Sequence, residues 1–301
     1  MRVESNVIAP AGVTLGGLGV LGFSFSLPAT RLAVLGLDPW FVSFGRAVGA
    51  GLLAIGYLTY TRAPRPSGRQ WRQLAVVAVG IVIGFPLSTS LALETQTSAH
   101  GAVVIACLPM STAIWAVLRA GERPHRGFWV ASLVGFMAVL VFMFTTGGVN
   151  GGFELPDLFL LVGVVLCGLG YAEGGALSRD LGGARTVCWT LVVALPVSVP
   201  VTVSVALTSG FARADGTAWS GFGYVTVVSM FLGFFAWYAG MARGGVAKVG
   251  QVQLAQPVLT LVWSALLLRE PVGWATVLTA AVVLTCVVWT QRSRVQRVGN
   301  G

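Results

Sequence analysis

Charge is what this sequence has least of. Asp, Glu, Lys and Arg together make up 10% of its 301 residues, against about 25% in soluble domains. Such a chain cannot cover a water-facing surface. Histidine occurs twice, and there is no HExxH, no paired catalytic aspartates, no GxSxG in an accessible setting and no glycine loop closed by lysine. Metalloprotease, serine-hydrolase and ATP-driven chemistry therefore have no place to reside. The four cysteines, Cys107, Cys167, Cys188 and Cys286, each stand alone in an apolar run. Without CxxC spacing they read as small buried hydrophobes, not as a disulfide framework or metal site. No metal and no cofactor is expected. The net charge of +9 does not point to nucleic acid, because the basic residues are scattered over short loops and form no basic domain. No small-residue cleavage site follows the first apolar run, which reads as a retained helix rather than a signal peptide.

What is abundant is apolar: 55% of the residues are hydrophobic and 40 are glycine. Glycine at this level suits membrane helices, whose backbones approach closely through small residues. A bilayer core needs about 20 apolar residues per helix. Ten stretches qualify, at roughly 10–28, 39–61, 73–93, 97–118, 127–146, 156–177, 186–208, 219–240, 246–268 and 272–291. The expected fold class is all-α, a polytopic membrane protein. GxxxG spacings at Gly12/Gly16, Gly45/Gly49, Gly80/Gly84 and Gly170/Gly174 read chiefly as close helix contacts. Pro86, Pro109, Pro196, Pro200 and Pro257 lie inside spans, where each removes a backbone donor and can bend its helix.

With the N-terminus inside, the inner loops hold Arg2, Arg62, Arg65, Arg69, Arg72, Arg119, Arg123, Arg126, Arg179, Arg185, Arg243, Lys248, Arg292, Arg294 and Arg297. The outer loops hold Arg31, Arg213 and Arg269. Fifteen, three and the intramembrane Arg46 account for all 19 basic residues. This is a positive-inside asymmetry, and it places both termini in the cytoplasm and the chain in the cell membrane.

The chain also repeats itself. Ser98–Pro124 (SAHGAVVIACLPMSTAIWAVLRAGERP) returns 148 residues later as Gly244–Pro271 (GGVAKVGQVQLAQPVLTLVWSALLLREP). Ala99, Val104, Pro109, Thr112, Trp115, Leu118 and Glu122 fall on Ala247, Val252, Pro257, Thr260, Trp263, Leu266 and Glu270. Gly22 and Arg31 fall on Gly170 and Arg179 at the same offset. A shared proline, tryptophan and glutamate in one register indicates duplication of half the chain. The repeats run 10–146 and 155–292. Each holds five spans, an odd number, so the second must enter the membrane inverted. Inverted repeats are an architecture of secondary transporters, with the substrate near the midplane between the halves.

The duplicated segments with their proline and glutamate, Arg46 in FGRAVGAGLLA, and ALETQTSA at 92–99 make the chain resemble a known family. It resembles the drug/metabolite transporter (DMT) superfamily in its EamA-type ten-helix branch, from about residue 10 to 292. The resemblance implies a basket of helices one to four and six to nine around a central cavity, with helices five and ten peripheral. It also implies secondary transport, most often export of amino acids or other small metabolites. The sequence departs from the family's Trp-Gly-x-Asn pattern, reading Leu21-Gly22-Phe23-Ser24, and carries an unusual acid in Tyr171-Ala-Glu-Gly-Gly. Substrate identity therefore does not carry over.

Intramembrane ionisable residues are functional candidates by default. Arg46, roughly 10 Å inside the second span at 1.5 Å per residue, either bonds backbone carbonyls or Glu94, or anchors a substrate carboxylate. Glu173 either pairs with Arg179 or Arg185 near the inner end of the sixth span, or lines the cavity and binds a proton or a cationic group. His100, a turn inside the fourth span, could relay protons with an unperturbed pKa near 6.5, or serve as a bonded structural histidine. Lys248 reads as a snorkelling side chain. Gln253, Gln256 and Thr260 share one stripe of the ninth span, which faces a cavity or another helix. Phe23, Tyr171 and Trp237 are aromatic candidates for the same cavity. Glu122 and Glu270 read as structural, tying loop arginines such as Arg123 or Arg126.

The leading reading is a secondary transporter exporting amino acids or other small amphipathic metabolites by alternating access. The competing readings are a membrane-embedded enzyme using His100, Glu94 or Glu173, and a scaffold or sensor without flux. The expected partners are a small-molecule substrate and the lipid bilayer, with a homodimer allowed and no nucleic acid.

Overall fold

The computed structural model describes residues 10–120, 126–146, 153–244 and 252–295. Within them the chain forms ten helical spans. α1 runs Ala11–Val34, α2 Pro39–Tyr60, α3 Gly68–Ala92, α4 Ser98–Leu118 and α5 Arg126–Thr146. α6 runs Leu155–Leu181, α7 Gly183–Ser209, α8 Gly216–Arg243, α9 Ala255–Leu267 and α10 Trp274–Val295. Seven of these are long and apolar enough to cross a membrane, and shorter apolar helices supply the rest. Lys248 and Glu122, named above, lie outside the described residues.

The helices start where their side chains can hold the orphan N–H groups of a first turn. Asp38 accepts from Trp40 and Phe41 N–H, Thr97 from His100 N–H, and Asp215 from Ala218 N–H. Several boundaries depart from the expected spans, and α1 continues to Val34 instead of ending near 28. α3 begins at Gly68, and α6 and α7 are divided by Gly182 alone, at φ 82°. A single glycine suffices because it takes the left-handed region without a Cβ clash. At 27 residues, α6 is about 40 Å long, longer than the hydrocarbon core.

The helix contacts reproduce themselves when the two repeats are exchanged. α1 lies on α8 as α6 lies on α3, and α1 meets α9 as α6 meets α4. α2 packs on α7, and α5 on α10, as counterpart pairs. Trp115 of α4 donates its indole N–H to the Val165 carbonyl of α6, and Trp263 of α9 donates to Ser24 Oγ of α1. Each repeat's fourth helix is thus fixed to the first helix of the other. Beyond their mutual contact, α5 and α10 reach chiefly α4, so the pair is peripheral.

Irregularities obey the same offset. α4 breaks at 106–107 ahead of Pro109, and α9 is preceded by a turn at 253–254 ahead of Pro257. α3 contains a π-helical segment, Ala78–Gly84, and α8 contains another, Tyr224–Gly233. Adding 148 to the first range gives 226–232, inside the second. The GxxxG pairs are contact points. A Cβ on Gly80 would stand 2.6 Å from the Leu166 carbonyl and 2.8 Å from Gly170 Cα, so α3 and α6 cross backbone to backbone. Gly12 and Gly16 receive Gly240 in the same way.

The surface divides as a bilayer divides space. Leu52, Val134, Val141, Val203, Val262 and Leu278 are exposed along the helix sides. The exposed tryptophans sit near helix ends: Trp40, Trp219 and Trp274 at one end of the bundle, Trp71, Trp129 and Trp289 at the other. That is the distribution of interfacial anchors. The first end carries Asp38, Glu94, Glu154, Asp157, Asp215 and Glu270 and is called the Asp38 end below; the second carries Arg62, Arg65, Arg69, Arg72, Arg179, Arg185 and Arg243 and is the Arg62 end.

Candidate functional site

Phe23 of α1 and Tyr171 of α6 are counterparts at the 148-residue offset, and the structure brings both against one segment of α8. Phe23 lies 4.8 Å from Phe234 and 6.3 Å from Trp237, centroid to centroid. Tyr171 lies 6.1 Å from each of the same rings. The corresponding positions of α3 are Pro86 and Thr89, so the rings come from one side of the pseudo-symmetric centre. Gly19 and Gly233 make room, since a Cβ on either would meet Trp237 or Phe23 at about 3 Å.

Polar groups border this cluster without the bonds that burial ordinarily demands. Trp237 Nε1 and the Tyr238 hydroxyl have no hydrogen-bond partner, although both residues are buried. Arg46, 4% exposed, neighbours Cys167, which in turn contacts Tyr171. Its Nε is unpartnered, and no ion pair joins it to Glu94 or to another carboxylate among the described residues. Glu94 is exposed at the end of α3. Of the two structural alternatives for Arg46, backbone carbonyls or Glu94, the Glu94 bond is not formed. Glu173 is buried on α6, eight residues before the helix ends at 181. No ion pair links it to Arg179 or Arg185, both exposed. It is deeper than a span ending at 177 implied.

On the α9 side Gln253 and Gln256 are buried, with Gln253 Nε2 and Gln256 Oε1 unpartnered. Thr260 donates to the Ser24 carbonyl at 2.7 Å and to Gln256 O at 2.9 Å. Its hydroxyl proton serves the α1–α9 contact. The stripe therefore divides: Thr260 joins helices, while the glutamines keep one unmatched atom each. Five such atoms, four able to donate and the Gln256 oxygen accepting, lie on α2, on α8, and on α9 and the turn before it. Each unpaired buried group costs about 1–3 kcal/mol, which a bound polar solute can offset.

At the Asp38 end, His100 Nε2 lies 2.7 Å from Asp157 Oδ1, with the side chains 6% and 0% exposed. Asp157 Oδ2 accepts from Glu154 N–H at 3.0 Å, and the imidazole lies 4.9 Å from the Phe142 ring of α5. Sequence reasoning missed Asp157; the signal was a carboxylate in the first turn of an apolar span. Glu270 is structural, as expected, but among the described residues its partners are not arginines. Its carboxylate accepts from Ser98 N–H, Ser98 Oγ and Ala99 N–H at 3.0, 2.8 and 2.9 Å. The second repeat thus caps a helix of the first, because a helix N-terminus attracts a carboxylate. The Ser98 and Ser264 hydroxyls add a 2.7 Å bond across the same joint. Arg31 is held here by the Leu93 and Glu94 carbonyls.

A model of the EamA-like transporter family matches residues 10–144 and again 155–291. The chain belongs to this family. It is 46% identical to an uncharacterized transporter, YdeK, of Bacillus subtilis (strain 168), over 92% of this chain and 96% of the other. It is 19% identical to an uncharacterized transporter of Archaeoglobus fulgidus, covering 86% and 90% of the two chains. A solved crystal structure superposes with a TM-score of 0.64 over 97% of this chain and 99% of that one, at 17% identity, which supports the fold alone. The EamA-like chain is thus a multi-pass membrane transporter built of two repeats.

Proposed function

We propose that this EamA-like protein is a secondary transporter that exports amino acids or other small amphipathic metabolites by alternating access. The observation that carries the reading is a set of buried, unpartnered polar atoms, of which those of Trp237 and Tyr238 lie in the Phe23, Tyr171 and Phe234 ring cluster. The rings offer an apolar body a place. Arg46, Gln253, Gln256 and Trp237 offer hydrogen bonds to polar ends, and Glu173 adds an acid on the neighbouring helix. Thr260 borders the same route while holding α9 to α1. A bare ion would instead want a ring of charges or carbonyls. The cell membrane, with both termini in the cytoplasm, is the setting that the loop arginines favour.

The test is flux in proteoliposomes preloaded with a mixture of labelled L-amino acids. Efflux exceeding that of protein-free vesicles, and lost with Gln256→Leu, supports the reading. Efflux equal in both preparations for every labelled compound overturns the amino-acid assignment.

A further inference from the structure

We propose that His100 and Asp157 form the proton-binding site of the transport cycle, apart from the substrate route. This deepens the transport reading and rests on it. Asp157 is fully enclosed, and apart from the Glu154 N–H the imidazole is its only described hydrogen-bond partner. With a neutral ring the pair has a net charge of −1 inside the bundle. Such a buried charge is unfavourable. A proton taken up by the pair makes it imidazolium against carboxylate. Nε2 faces Asp157, and no described hydrogen bond occupies Nδ1, which leaves that nitrogen for the second proton.

The pair sits where the gain or loss of a charge has mechanical effect. The first turn of α4 belongs to the first repeat, yet two carboxylates of the second repeat grip it. Glu270 holds Ser98 and Ala99, and Asp157 holds His100. The Glu270 grip uses backbone and hydroxyl donors, which do not titrate. The Asp157 grip runs through an imidazole, which does. A proton that binds better when α4 and α6 are joined stabilises closure of this end by its difference in affinity between the states. The other charged groups on the surrounding elements are Glu154 on α6, Glu94 and Arg31 at the corner of α3 and α1, and Arg269 and Glu270 after α9. α5, which brings Phe142 to the ring, and α10 carry no acid or base at this end. Position 248, the counterpart of His100, is lysine, so the duplication provides no second imidazole.

The experiment has two arms. The chain has two histidines, His100 and His125, so the H125Q variant labelled with 15N-histidine in lipid bilayers reports His100 alone. The expected result is an imidazole that changes charge state as pH is varied, with the change altered by D157N. One charge state throughout overturns the proposal. In the second arm, proteoliposomes loaded with the labelled amino-acid mixture are assayed with and without a pH gradient. H100Q and D157N should each retain exchange at equal pH and lose at least tenfold of the gradient-driven efflux. Gradient-driven efflux at the wild-type level in both variants overturns the proton site while transport stands. A wild type that exchanges none of the mixture refutes the amino-acid reading, and the 15N titration then decides the proton site by itself.

Discussion

Replacing Glu270 with alanine tests whether the joint at the Asp38 end holds the two repeats together. The substitution removes an acceptor used by Ser98 N–H, Ser98 Oγ and Ala99 N–H. Hydrogen bonds to a charged group contribute about 1.5–3 kcal/mol, and loss of a helix cap costs about 0.5–2 kcal/mol. These figures describe the same donors and do not add, and Glu270 is partly solvated, so about 2 kcal/mol is the working value. Ser264→Ala removes the hydroxyl pair to Ser98 and a bond within α9 to the Thr260 carbonyl, together about 1 kcal/mol. Glu270→Gln keeps one acceptor and turns its amide toward donors, so it should fall between wild type and alanine. The chain contains its own reporter. All four cysteines are buried thiols, so a dye that fluoresces on thiols reads unfolding directly. At roughly 2–4 °C per kcal/mol, Glu270→Ala should lower the apparent melting temperature by about 4–8 °C. A shift of under about one degree, or a Ser264→Ala loss equal to that of Glu270→Ala, would refute the reasoning.

Gln256→Leu should cut amino-acid efflux at least about tenfold at normal membrane insertion, while Gln291→Leu, near the end of peripheral α10, is nearly silent; equal losses in the flux assay would contradict the route along α9. Arg46→Lys should weaken transport of carboxylates less than Arg46→Gln, since charge survives while the guanidinium fork does not; identical flux in both would remove Arg46 from binding. Gly80→Leu should block assembly, because its Cβ meets the Leu166 carbonyl at 2.6 Å, whereas Gly56→Ala, with open space around it, should not; detergent-resistant folded yield on a sizing column separates the two. Cysteine at position 150 should react with an impermeant reagent in intact cells and cysteine at position 66 should not, on a background without native cysteines; the reverse pattern would invert the topology.

Much of the architecture is written locally, which is why the sequence reveals it. Spans follow from runs of apolar residues, the GxxxG contacts from glycine spacing, and the repeat from Pro109/Pro257 and Trp115/Trp263 in one register. The partners of charged groups are a different matter. His100 and Asp157 are 57 residues apart, and Ser98 and Glu270 are 172 apart. Nothing local in either member names the other. Glu270 next to Arg269 invites an ion pair, yet two backbone N–H groups of another helix offer it better geometry. The π segments of α3 and α8 leave no signature in composition, because they differ from α only in which carbonyl each N–H selects. Phe234 and Tyr238 carry no sequence signal that separates them from the other aromatic residues.

The π segment of α8 has a consequence for the rings below it. A helix wound in π register contains slack relative to α, and the stretch Phe234–Gly244 follows it directly. Since an α-helix turns by roughly 100° per residue, taking up one residue of slack would swivel that stretch by about the same angle. Trp237 and Tyr238 would be carried off Phe23 and Tyr171, opening the centre without tilting the whole helix. The counterpart segment of α3 precedes Pro86, Thr89 and Ser90. The same swivel there would sweep hydroxyls rather than rings past α6, so one ratchet duplicated in two repeats would do different work in each.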